Sequence, residues 1–153
     1  MPLFALDDRV AIITGPSRGI GRAIAERLAE HGARVVISSR TLAACQSVAD
    51  AINTANGAGR AVAIEANISS KEGLSRLVAR TQETFGRIDI LVCNAATNVH
   101  FGPMSGLEDA QFRKIFENNV LSNHWLIQMV APQMIARRDG AIVIVSSVAG
   151  LIG

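Results

Sequence analysis

The sequence predicts an α/β fold: a doubly wound parallel sheet of five strands in the order 3-2-1-4-5, with helices on both faces. Three observations carry this. Short apolar runs alternate with segments of helical period along the chain, the rhythm that builds parallel sheets through right-handed crossovers. The first run, Val10-Ala11-Ile12-Ile13, turns through Thr14-Gly15-Pro16-Ser17-Arg18-Gly19-Ile20-Gly21 straight into a helical pattern. The last run, Ala141-Ile142-Val143-Ile144-Val145, is apolar at every position, as a strand covered on both faces requires. With 153 residues, no repeat and no low-complexity segment, residues 1–153 read as one domain.

The glycine turn comes first. A strand that enters a helix through glycines makes an anion site from backbone alone. The first glycine allows the tight turn, the middle one keeps side chains away from a pyrophosphate, and the last lets helix and strand pack closely. The spacing here is G-x-x-x-G-x-G, not the commoner G-x-G-x-x-G, and alone such a cluster also occurs in ordinary loops. Ile20, Ala23, Ile24 and Leu28 give the following helix its apolar face. Gly32 stops it, and residues 33–38 read as the second strand. Thr41 can cap a helix whose buried face is Leu42, Cys45, Val48, Ala49 and Ile52.

Residues 53–59 form a polar, glycine-containing turn, and residues 61–64 the third strand. Ser69 with Glu72 has the spacing of a capping box, opening a helix that carries Leu74, Leu77, Val78, Thr81 and Phe85. Gly86 ends it, residues 88–93 are the fourth strand, and a long loop runs from Asn94 to Leu107. A short helix is expected over residues 108–116. A longer one then runs to Arg138, with Val120, His124, Ile127, Val130 and Met134 as its buried stripe and Pro132 bending it. Gly140 stops that helix before the fifth strand.

Composition limits the partners. The chain is 49% hydrophobic and 18% charged, with a formal net charge of +2, too small a field for nucleic acid or an anionic membrane. No apolar run approaches the roughly 18 residues of a membrane span. Met1-Pro2-Leu3-Phe4 lacks the basic start and long apolar stretch of a secretory signal, so the cytoplasm is the expected compartment. Cys45 and Cys93 form no ligand cluster and read as core thiols, and His31, His100 and His124 lack ligand spacing; no metal is expected. There are five Phe and one Trp, but no Tyr.

In this Rossmann-like order the topological switch lies between strands 1 and 4, and ligands bind there, beyond the carboxyl ends of the strands. The glycine turn and Asn94 both line that crevice, with Ser146 and Ser147 one strand further along. Five segments, in order, resemble motifs of the short-chain dehydrogenase/reductase family. These are Thr14 to Gly21, Asn67-Ile68 after strand 3, Cys93-Asn94-Ala95-Ala96 after strand 4, Asn119-Val120 on the long helix, and Val145-Ser146-Ser147-Val148-Ala149-Gly150. Two positions depart from the family pattern. Asn67 stands for an Asp, though its amide oxygen can still accept from an adenine amino group, and Cys93 stands for the first Asn of its motif.

The resemblance implies an oxidoreductase that passes hydride between a nicotinamide cofactor and a small carbonyl or secondary alcohol. Gly15, Ser17, Arg18, Gly19, Ile20, Gly21, Ser39, Arg40, Asn67, Ile68, Asn94 and Ala95 would hold the cofactor. NADP(H) is favoured over NAD(H): Ser39 stands where a NAD site carries an acid, and Arg18 and Arg40 suit a 2′-phosphate, although both also read as solvated surface arginines. Ser147 would polarise the substrate carbonyl and Asn119 would hold a water in the proton relay, with Asn118 beside it as the other candidate to point inward. More modestly, Ser147 would cap a turn and Asn94 would satisfy loop backbone. The family's acid/base tyrosine and its lysine would fall beyond Gly153, so the chain by itself is expected to be very slow or inactive. The fifth strand, with nothing after it to pair its outer edge, reads as part of an incomplete sheet, the N-terminal part of a domain that forms homo-oligomers when complete. The alternative is a nucleotide-binding or assembly module, without catalysis, whose sheet another polypeptide completes.

Overall fold

β1 (Val10–Thr14) is buried along its whole length because it lies at the centre of a parallel sheet covered on both faces. The structure, a computed structural model, describes residues 4–148. From β1 the chain passes through α1 (Gly19–Glu30) to β2 (Arg34–Ser38), then α2 (Leu42–Asn56), β3 (Ala61–Ala63), α3 (Lys71–Phe85) and β4 (Ile90–Cys93). A 3-10 turn, Met104–Gly106, precedes α4 (Asp109–Phe116), a π-helical turn Glu117–Leu121, α5 (Ser122–Arg137) and β5 (Ala141–Ile144). The sheet order is β3-β2-β1-β4-β5, all neighbours parallel, as the sequence predicts.

The two-residue period of the strands divides the apolar residues between two cores. Ala11, Ile13, Val35 and Ile37 face α1 and α2, where they meet Ala25, Ala29, Cys45 and Ile52. Ile12, Val36 and Leu91 face the other side, against Leu74, Leu77, Leu126 and Val130 of α3 and α5. Each fully buried Leu or Ile there contributes about 1.5–3 kcal/mol of transfer free energy. The two layers hold the strand ends, and hence the loops beyond them, at fixed spacing.

Several expectations are corrected. Ser70, not Ser69, caps α3: its Oγ accepts from the Gly73 N–H at 3.0 Å, and Glu72 lies in the first turn where the helix dipole favours it. Thr41 occupies the N-cap of α2 but makes no side-chain cap bond. The buried stripe of the long helix is Asn118, Ser122, Leu126, Val130 and Met134; Val120 and His124 are exposed. His124 lies beyond the π turn in the same regular helix as Leu126 and about 200° round from it, so it faces outward. β5 pairs with β4 alone among the described residues, leaving Val143 49% and Ile144 52% exposed. Among the described residues no helix is long and apolar enough to cross a membrane.

Candidate functional site

The switch point is locked by Thr14 and Asn94. Thr14 Oγ1 accepts from the backbone N–H groups of Asn94 and Ala95, both at 3.1 Å, so the end of β1 holds the chain leaving β4. Asn94 returns the contact: its Nδ2 donates to the carbonyls of Thr14, at 3.0 Å, and Gly15, at 3.3 Å. Gly15 and Gly19 have φ of +69° and +57°, which favour glycine. A Cβ on Gly21 would collide with the Asn94 amide nitrogen, so this glycine is what allows the helix to approach the loop. At the start of α1 the N-cap residue Arg18 makes no side-chain cap bond, and the first turn has no acidic residue. Its N–H groups therefore face the crevice uncapped, a ready position for an anion.

The crevice measures about 730 Å³, and every residue assigned to the cofactor from the sequence lines it. Gly15, Ser17, Arg18, Gly19, Ile20 and Gly21 form its floor; Ser39 and Arg40 close the β2 end. Asn67 and Ile68 flank it after β3, and Asn94 and Ala95 after β4. No carboxylate lines it, and among the described residues neither Arg18 nor Arg40 has an acidic partner. Ser39 is fixed in place, its Oγ accepting from the Thr41 N–H at 3.3 Å and lying 3.0 Å from Cys45 Sγ. Asn67 Oδ1 accepts from the Ser69 N–H at 3.1 Å, which shapes the loop and leaves a second lone pair open. A pyrophosphate and a 2′-phosphate fit this donor set; nothing in it repels them.

The two residues assigned to catalysis lie away from this lining. Asn119 clamps the backbone of Thr97: its Oδ1 accepts from the N–H at 2.8 Å and its Nδ2 donates to the carbonyl at 3.0 Å. Asn118 is the residue buried in the crevice wall, 4% exposed. Ser146 and Ser147 follow β5 and are exposed, while Ala149 and Gly150 of the same motif lie outside the described residues. Cys93 is buried, and burial pushes its thiol up to about 11, so it remains a neutral core group. Among the described residues no three His, Cys, Asp or Glu gather into a metal set. Sequence reasoning gave Ser69 and Thr97 no part in the crevice and preferred Asn119 to Asn118 as the inward residue; only the fold brings the three together.

A family model described as short chain dehydrogenase matches residues 9–153. This chain belongs to the short-chain dehydrogenase/reductase family. Dehydrogenase/reductase SDR family member 4 of Bos taurus is 41% identical over 145 residues, covering 94% of this chain and 51% of the relative. A metagenomic short-chain oxidoreductase solved in complex with NADP superposes at a TM-score of 0.87 and 34% identity, over 95% of this chain and 65% of its own. A 7α-hydroxysteroid dehydrogenase complexed with NADH and 7-oxo glycochenodeoxycholic acid gives 0.91 and 37%, over 98% of this chain and 57% of its own. The chain thus spans about half the length of the curated relatives it matches.

Proposed function

We propose that this chain is the nucleotide-binding part of an NADP(H)-dependent oxidoreductase that passes hydride between nicotinamide and a carbonyl or secondary alcohol of a small molecule. The observation that carries the reading is the crevice itself: an uncapped helix N-terminus, two arginines with no acidic partner among the described residues, and no carboxylate in the lining. Related structures hold NADP in one case and NADH in another, so the fold alone does not decide between them. Ser39 just after β2, with Arg40 next to it and Arg18 in the same lining, supports the phosphorylated cofactor. When bound, the nicotinamide supplies a carbon that gives or takes hydride. Ser147 is the residue to donate a hydrogen bond to the reacting carbonyl, and Asn119 to hold a water for proton transfer. A homo-oligomer is the expected state of the whole protein.

Titration of the chain with NADPH and NADH, followed by nucleotide fluorescence, tests this. NADPH is expected to bind more tightly. Arg18→Ala and Arg40→Ala should each weaken NADPH by about tenfold or more, the range of a charge-assisted hydrogen bond, with NADH unchanged. Equal affinity of the unaltered chain for both nucleotides overturns the NADP(H) assignment. The second reading is a nucleotide-binding or assembly module without catalysis of its own, completed by another polypeptide. One observation favours it: among the described residues β5 pairs with β4 alone, and Val143 and Ile144 are about half exposed. Nucleotide binding without turnover of any carbonyl, restored by adding a partner chain, selects that reading.

A further inference from the structure

Asn118 joins the two walls of the crevice. Its amide is used at both ends: Ser69 Oγ donates to Oδ1 at 2.7 Å, and Nδ2 donates to Thr97 Oγ1 at 3.1 Å. Ser69 belongs to the loop after β3, just beyond Asn67 and Ile68, and Thr97 to the loop after β4, just beyond Asn94 and Ala95. In the sheet those strands stand apart, with β2 and β1 between them. All three bridging residues line the crevice. The helix holds Asn118 from behind, because Ser122 Oγ donates to its carbonyl at 2.6 Å.

Asn118 and Asn119 both lie in the π turn. Successive residues of an α-helix point about 100° apart, so two neighbouring asparagines do not normally serve the same loop. Here both reach Thr97: Asn119 grips its backbone, and Asn118 takes its hydroxyl and reaches on to Ser69.

We propose that Asn118 is a positioning residue for cofactor binding, holding the loops at Ser69 and Thr97 at one fixed separation so that the nucleotide meets a preformed cleft. Preorganisation of this kind raises affinity by sparing the ordering cost at the moment of binding. The inference rests on the nucleotide reading given above.

Asn118→Ala removes the bridge. Asn118→Asp keeps it, since the Thr97 hydroxyl can donate to a carboxylate as readily as it accepts from an amide, but it also sets a negative charge in the crevice, so this variant is read by hydrogen exchange alone. Thr97→Val cuts the bridge from the loop side and leaves the backbone grip of Asn119 in place. NADPH titration and amide hydrogen exchange are measured on the full chain. Asn118→Ala and Thr97→Val are expected to weaken NADPH by about tenfold, as the loss of one or two hydrogen bonds implies. Both should speed exchange in residues 67–70 and 94–97 while β1 and β4 stay protected, and Asn118→Asp should restore slow exchange there. If the unaltered chain binds NADPH and the Ala and Val variants bind it equally well, the bridge is overturned and the cofactor reading stands. The bridge is overturned in the same way if residues 67–70 and 94–97 exchange as fast in Asn118→Asp as in Asn118→Ala. If the unaltered chain binds no NADPH, the cofactor reading falls and takes this inference with it.

Discussion

Gly21 shows how closely the switch point is packed at the scale of one residue. A Cβ there would strike Asn94 Nδ2, lie 2.8 Å from the Gly15 carbonyl oxygen and sit 3.0 Å from Pro16 Cα. Two of those neighbours are backbone and cannot swing aside, so relief must come from Asn94 releasing Thr14 and Gly15. Overpacking of this kind costs about 1–3 kcal/mol. Gly21→Ala is therefore expected to lower the stability read from urea unfolding by that amount and to weaken NADPH as well, because the same movement opens the turn. A normal midpoint with normal binding would contradict the packing argument. This glycine was legible in the sequence, since the strand-glycine-helix pattern demands a close approach at that step. Asn118 was not. Choosing between two adjacent asparagines needs the helical phase, and a π turn leaves no mark in the residue pattern that precedes it.

At the scale of an element, the adjacent serines before α3 divide two tasks that the sequence alone assigns to one. Ser70 Oγ accepts from the Gly73 N–H, while Ser69 Oγ turns away to Asn118. Both residues have cap chemistry, and Glu72 three positions after Ser69 makes the wrong one look right. Ser70→Ala should cost about 1 kcal/mol of stability, the usual value for a lost N-cap, with NADPH affinity little changed. Ser69→Ala should do the reverse, sparing the cap and loosening the cleft; equilibrium unfolding and nucleotide titration of the two variants separate the roles. If both variants lost stability equally, the division would be wrong. Element types and sheet order were readable from the apolar periods. The stripe of the long helix was not, because His124 and Ile127 at three-residue steps and Ser122 and Leu126 at four-residue steps both lead to Val130, and only packing chooses between them.

Over the whole molecule, binding and anchoring sit at opposite ends of the sheet. The crevice occupies the carboxyl ends of the strands; the amino ends are tied by Asp89, which is 1% exposed and immediately precedes β4. Its carboxylate accepts the Val10 N–H at 3.0 Å and receives two donors of Arg87, with Arg137 at 3.5 Å and Arg9 at 3.7 Å. Burial pushes the Asp89 carboxyl up, but the hydrogen bonds from Arg87 and Val10 and the charges of Arg87 and Arg137 outweigh it, so the net shift is downward. A carboxyl lowered on folding stabilises the protein above the ordinary aspartate value of about 3.9, and that contribution disappears as pH falls through the lower folded value. The arginines keep 30–40% of their side-chain surface in water, so removing the carboxylate strands no buried charge. Asp89→Asn should then cost about 1.5–3 kcal/mol at neutral pH, the worth of charge-assisted hydrogen bonds, and not the larger penalty of a broken buried pair. The urea midpoint of the unaltered chain is expected to fall more steeply below about pH 4 than that of Asp89→Asn. NADPH affinity at neutral pH should be the same in both, since no residue of the cluster lines the crevice. Parallel acid limbs would show that Asp89 is not the group whose protonation loosens the sheet. A loss of NADPH affinity in Asp89→Asn would show instead that the two ends of the sheet are coupled.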